Sequence, residues 1–124
     1  MVTVSRLRLE KKGAGTLLSP LECDVLHVLW KSKKMRVRDV HSIVQKKRKV
    51  ALTSIAVTLD RLHAKKLVSR TVHTGRGGEH YVYEPTTSKE GFEQSVVAQT
   101  VDKLINSFGH VAVNYFNERF KEGR

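Results

Sequence analysis

Residues 51–62 read ALTSIAVTLDRL. Leu52, Ile55, Leu59 and Leu62 recur at steps of three and four, which predicts a helix turning one apolar stripe toward a core. The opposite side carries Thr53, Val57, Asp60, Arg61 and Ala64, with Ser54 on its flank, where an ordinary solvated helix shows Glu, Lys and Gln. Small and β-branched side chains there lower helix propensity without a packing gain. A low, hydroxylated, partly apolar outer face suits a helix that must approach another surface closely.

The flanks of this stretch supply the context. Ser19-Pro20-Leu21-Glu22 is a helix start, with a Ser N-cap, Pro at the first helical position and Glu placed to complete a capping box. A first helix is expected over Pro20–Lys31, burying Leu21, Val25, Leu29 and part of Trp30. Val37, Val40, His41 and Val44 form a second helical stripe, ending in the basic run Lys46-Lys47-Arg48-Lys49, a run also compatible with a solvated helix end. The opening stretch is then the third helix, with Thr53 or a neighbour as N-cap. From Leu67 to Thr74 the chain alternates or runs β-branched, GRGG at 75–78 is a turn, and His80 to Tyr83 alternates again before Pro85. That is a hairpin. Three short helices and a hairpin with a basic, glycine-rich tip make a winged helix-turn-helix pattern, mainly α with a small β-hairpin.

Past Pro85 the spacing is helical again through Phe92, Val96, Val97, Val101, Leu104, Ile105 and Phe108, and a last segment carries Val111, Tyr115, Phe116 and Phe120. Three parts follow: a basic arm over 1–18, a winged-helix domain over 19–85 and a helical dimerisation segment over 86–124. The arm is basic through Arg6, Arg8, Lys11 and Lys12 and loosened by Gly13 and Gly15. It reads as a frayed terminus, or as a strap on DNA or on a neighbouring subunit.

Charge separates the parts. The 124 residues carry a formal +11; residues 1–85 hold 18 Lys and Arg against 7 Asp and Glu, while 86–124 hold five of each. The surplus therefore belongs to the winged-helix part and its arm, and it suits a polyanion. A membrane surface fits less well, because no stretch approaches the ~20 apolar residues of a spanning helix and MVTVSRLRLEKKGAG lacks the apolar centre of a signal peptide. The single cysteine, Cys23, supports no intrachain disulfide, in keeping with a reducing cytoplasm.

In a winged helix-turn-helix the third helix enters the major groove, where short side chains let its backbone come near the base edges. Thr53 and Ser54 can bond phosphates or bases, Ala56 and Val57 can touch a thymine methyl, and Arg61 can reach phosphate or guanine. Lys47, Lys49, Arg36, Arg38 and the wing residue Arg76 are phosphate-binding candidates. The C-terminal apolar face, Phe92, Val97, Val101, Leu104, Ile105, Phe108, Tyr115 and Phe116, either folds back as core or pairs with its copy; a two-fold pair matches palindromic half-sites.

Other chemistry finds little footing. GRGG is a poor nucleotide loop because strands lie on both sides of it. Cys23 and His27 stand at a spacing open to metal ligands, core and surface residues alike, and two ligands do not make a site. Carboxylates are few, with no nucleophile elbow, zinc-protease pair or P-loop. The expectation is a non-enzyme without cofactor: a homodimeric, sequence-specific DNA-binding repressor, or alternatively a structural binder of chromatin or RNA using the same basic face without sequence choice.

LSPLECDVLHVLW, VRDVHSIVQ, LTSIAVTLDRLHAKKLVSR and YVYEP together resemble the BlaI/MecI penicillinase-repressor family, in order and spacing over Leu18–Pro85 and more loosely beyond. The resemblance implies a homodimer whose N-terminal domains bind promoter inverted repeats, with Thr53, Ser54, Ala56 and Val57 at groove-facing positions and the loop around Arg76 as wing. Some relatives are released by proteolysis under a β-lactam-sensing membrane receptor. Others sense copper through paired cysteines near the C-terminus, which this sequence does not have. It also has Lys66 where the family usually has a helix-ending Gly, a longer wing before Tyr81, Glu79 where an Arg is common, and the arm before Leu18 as an extra.

Overall fold

Ser19 starts the first helix, α1 (Pro20–Ser32), through the expected capping box: the Glu22 N–H donates to Ser19 Oγ at 3.2 Å and the Ser19 N–H donates to Glu22 Oε1 at 2.9 Å. Its Val25, Leu26 and Leu29 are fully buried. A two-residue strand, β1 (Met35–Arg36), leads into α2 (Val37–Val44), which buries Val40 and Val44. The computed structural model describes Val4 and residues 6–122.

The basic run departs from expectation. Helix α2 stops at Val44, and residues 45–48 turn away from it, with Lys49 just beyond. Asp24 of α1 draws this turn inward, accepting from Lys47 Nζ at 3.2 Å and Arg48 Nε at 2.8 Å.

The third helix, α3 (Leu52–Ala64), is capped by Ala51 in extended conformation without a side-chain cap bond; Thr53 is already inside the first turn and is not the N-cap. Ile55, Leu59 and Leu62 are fully buried, but Leu52, assigned above to the same stripe, is 47% exposed. It sits in the first position of the helix, beyond the edge of the core. The other end closes with a Schellman motif, in which the Leu67 N–H donates to Leu62 O and the Lys66 N–H to His63 O, both at 3.0 Å. Lys66 takes the left-handed conformation this requires, at φ +63°.

Strands β2 (Val68–Gly75) and β3 (Gly78–Pro85) pair antiparallel with Gly75 opposite Gly78, so Arg76-Gly77 is a two-residue turn. β1 pairs with the other side of β3, completing a three-stranded sheet in the order β1-β3-β2. Val68 and Tyr83 are buried at the base of the hairpin, while 71–79 stand in solvent.

A long helix, α4 (Lys89–Phe108), follows, with Ser88 as N-cap accepting from the Gly91 N–H at 3.0 Å. Its first turns are docked: Trp30 Nε1 donates to Thr87 O at 3.0 Å, and the Trp30 and Phe92 rings lie 5.6 Å apart. Gly109, at φ +59°, breaks the helix before α5 (His110–Glu122). The N-terminal segment is not frayed where it is described. Val4, Ala14 and Leu18 are part of the core, and a 3₁₀ turn spans Gly13–Thr16. No described helix is long and apolar enough to cross a membrane.

Candidate nucleic-acid interface

The core pulls one side of α3 inward, and the other side is left in solvent. Thr53, Val57, Asp60, Arg61 and Ala64 are exposed, and Ser54 and Ala56 half-buried. Val57 is 49% exposed, a large fraction for a branched apolar side chain on a helix whose partner stripe is saturated. The one carboxylate on this side is neutralised: Arg70 of β2 reaches Asp60 with Nη1 to Oδ1 at 2.8 Å. The same guanidinium lies 4.3 Å from the centre of the Tyr81 ring and 3.5 Å from the Tyr83 hydroxyl, so it clasps the hairpin to α3. Arg61 carries no ion pair among the described residues.

Between the start of α3, the start of α2 and the hairpin lies an open groove of about 530 Å³. Arg36, Arg38 and Arg76 come from three different elements to line it, together with Leu52, His80 and Tyr81. The N-terminus of α3 also opens here, and unpaired helix-start N–H groups favour anions. Arg36 spends part of its charge locally, with Nε 4.0 Å from Asp39, and Glu79 on the rim offsets part of the field. The groove thus gathers Arg36, Arg38 and Arg76, all three expected from the sequence as phosphate ligands. Leu52 joins them and was missed, because periodicity assigns a stripe without saying where along it the core ends.

The other candidates are arranged differently. Lys47 and Arg48 face Asp24 rather than standing free. Burial of Asp24 raises its pKa, but hydrogen bonds from Arg48 and Lys47 outweigh this and hold it below the ordinary value, ionised at neutral pH. Lys49 is exposed just before α3. At the far end of that helix, Lys65 Nζ donates to the buried Glu22 carboxylate at 2.7 Å. Burial pushes Glu22 upward, and the bonds from Lys65 and the Ser19 N–H overcome that and leave it lowered.

Cys23 Sγ lies 3.8 Å from Leu18 O and His27 packs against the Trp30 ring, centroids 5.2 Å apart. Among the described residues, no three His, Cys, Asp or Glu side chains meet as a metal site.

Of the residues assigned to a paired C-terminal face, Phe92 is 1% exposed and packed on Trp30 within its own chain, which leaves it no surface for a partner. The nine residues from Phe92 to Val101, at about 100° each, put the two on opposite sides of α4. Val97, Leu104, Phe108 and Tyr115 are exposed, and Val101, Ile105 and Phe116 half-buried. Val111 and Phe120 extend the same apolar surface.

Three helices, a sheet-capped hairpin and an outward third helix define a winged helix-turn-helix protein. Residues 18–122 match the family model described as penicillinase repressor. The chain belongs to that family of winged-helix transcription regulators, whose members are DNA-binding proteins rather than enzymes. Among solved structures it is similar to a possible transcriptional regulator from Methanosarcina mazei Go1, at 16% identity over 75% of this chain and 78% of that one, with a TM-score of 0.57. It is likewise similar to the YusO protein of Bacillus subtilis, at 16% identity over 86% and 77% of the two chains, with a TM-score of 0.52. At such identities the likeness is one of fold. No match is found among the curated proteins.

Proposed function

We propose that the protein is a homodimeric transcriptional repressor that occupies a promoter inverted repeat, each protomer laying α3 in a major groove. Thr53, Ser54, Ala56 and Val57 meet base edges, Arg61 meets a guanine or phosphate, and Arg36, Arg38, Arg76 and Lys49 hold the backbone. The α4–α5 apolar surface, from Val97 to Tyr115 and Phe116, joins the two copies. The protein works in the cytoplasm, where its lone thiol stays reduced.

The observation that carries this reading is the outer side of α3. It is short, hydroxylated and apolar, cleared of free carboxylate by the Asp60–Arg70 pair, and set beside a groove lined by three arginines. A phosphate-only binder has no use for an exposed valine. Selection of bound sites from a random duplex library at near-physiological salt tests it. The expected result is an inverted repeat with half-sites about one helical turn apart; retention without an enriched motif overturns sequence-specific repression in favour of a structural nucleic-acid binder.

A further inference from the structure

We propose that Val4 and Leu7 are positioning residues for operator recognition: the N-terminal segment straps α4 to the winged-helix domain, fixes the angle at which that helix leaves it, and thereby sets the half-site spacing the dimer accepts. The spacing role rests on the homodimeric reading above; the strap itself does not.

Helix α4 has little else to hold it. Among its apolar side chains, Phe92 and Val96 are the ones packed into or against the core, and beyond Val96 it runs on to Phe108. Those twelve residues span about 18 Å, so a tilt of about 10° at Val96 moves the far end by roughly 3 Å, close to one base-pair step. An unsupported α4 would blur the spacing of two reading heads joined through it.

The N-terminal segment supplies the support. Val4 is 2% exposed, and Val4 and Leu7 line a groove of about 210 Å³ with Thr100, Leu104 and Ser107 of α4. The segment is anchored at its other end on the entry to α1. The Arg8 N–H donates to Thr16 O at 2.7 Å, Arg8 Nη1 donates to Leu18 O at 3.1 Å, and Ala14 and Leu18 are buried. At Gly13 the Glu93 side chain of α4 reaches the segment, its Oε2 lying 3.0 Å from where a Cβ would stand.

Helical geometry keeps the strap clear of the pairing surface. Phe92, Val96, Thr100 and Ser107, at steps of four, four and seven residues, lie on one side of α4, whereas Val97, Val101, Ile105 and Phe108 lie on the next, with Leu104 at the border. The arm thus covers the side that the domain core leaves uncovered after Val96, and the dimer surface stays open.

The full-length protein carrying Val4→Ser and Leu7→Ser together tests this, with Leu7→Met as the conservative control. By hydrogen exchange without DNA, residues 96–107 are expected to exchange at least about tenfold faster while 20–85 stay unchanged. Unchanged exchange over 96–107, or equal loosening of 20–85, overturns the strap. On inverted repeats of graded spacing, the preference for the best spacing over one two base pairs longer is expected to fall roughly 3- to 30-fold, with half-site sequence preference kept and Leu7→Met like wild type. A preference unchanged in the double variant overturns the positioning role. Should the double variant not fold, Thr100→Glu on the strap-facing side of α4 must widen the accepted spacing in the same way, or the proposal fails. A wild-type protein indifferent to spacing overturns repeat binding and the spacing role together, and the exchange measurement then still decides the strap.

Discussion

Val57 is the side chain whose environment says most about its use. It sits exposed in the middle of α3, on the side away from Ile55, Leu59 and Leu62. Val57→Glu puts a carboxylate where a base edge or thymine methyl is expected, and duplex affinity should fall by about 10- to 100-fold in a titration of the selected site. Thermal stability should change by no more than about 0.5 kcal/mol, since the position makes no core contact. Unchanged affinity would remove α3 from the groove. Glu22 illustrates the opposite case, a charge that works inside the fold. Its pKa is lowered, so its ionised form stabilises the native state fully at pH values above the unfolded carboxylate value of about 4.3, and that contribution is lost as pH falls through the lower folded value. Glu22→Gln should therefore lower stability at pH 7 and flatten the acid limb of a denaturation series below about pH 4. An acid limb identical to wild type would mean that the Lys65 bond contributes nothing.

Among the elements, the end of α3 is one of two helix ends where the chain accepts a local cost, the other being Lys33 after α1 at φ +75°. The Schellman closure of α3 demands a left-handed residue, and Lys66 occupies that position at φ +63°. An L side chain there costs roughly 1–2 kcal/mol, partly offset on substitution by the greater unfolded freedom of glycine. Lys66→Gly should stabilise the protein by about 0.5–1 kcal/mol, seen as a rise of a few degrees in Tm. The strain was legible beforehand, because Lys66 falls where relatives end the helix with Gly. The capping box at Ser19 and the hairpin turn were legible from local spacing, since each depends on residues within four positions of one another. The exposure of Leu52 and the burial of Phe92 were not. Both lie on stripes that continue past the boundary of the core, and periodicity has no term for where a neighbouring element stops.

At the scale of the whole molecule, the charge is the quantity that tests the proposed dimer on DNA. The +11 of the chain resides in residues 1–85, yet Lys47 and Arg48 share Asp24, Lys65 holds Glu22 and Arg70 holds Asp60. The free cations are fewer than the sequence total, and among them Arg38 and Arg76 line the wing groove while Lys49 precedes α3. If a dimer neutralises roughly 6 to 10 phosphates, log K should fall with log salt at a slope of about −5 to −9. Arg76→Ala should reduce that slope by about 1 to 2 units, one contact per protomer, with little change in the preferred sequence. A shallow slope would mean that base contacts and apolar burial carry the affinity.

The amino-acid sequence alone determined the order of the helices, the hairpin, the basic character of the first two thirds and the unusual outer side of α3, since periodicity, caps and turn chemistry act over a few neighbouring residues. Tertiary structure decided the rest. Which cations are spent on Asp24, Glu22 and Asp60, and which arginines converge on the wing groove, depends on residues 10 to 43 positions apart in the chain meeting in space. That the N-terminal arm lies on α4 depends on a contact spanning most of the chain, for which no local spacing carries a signal.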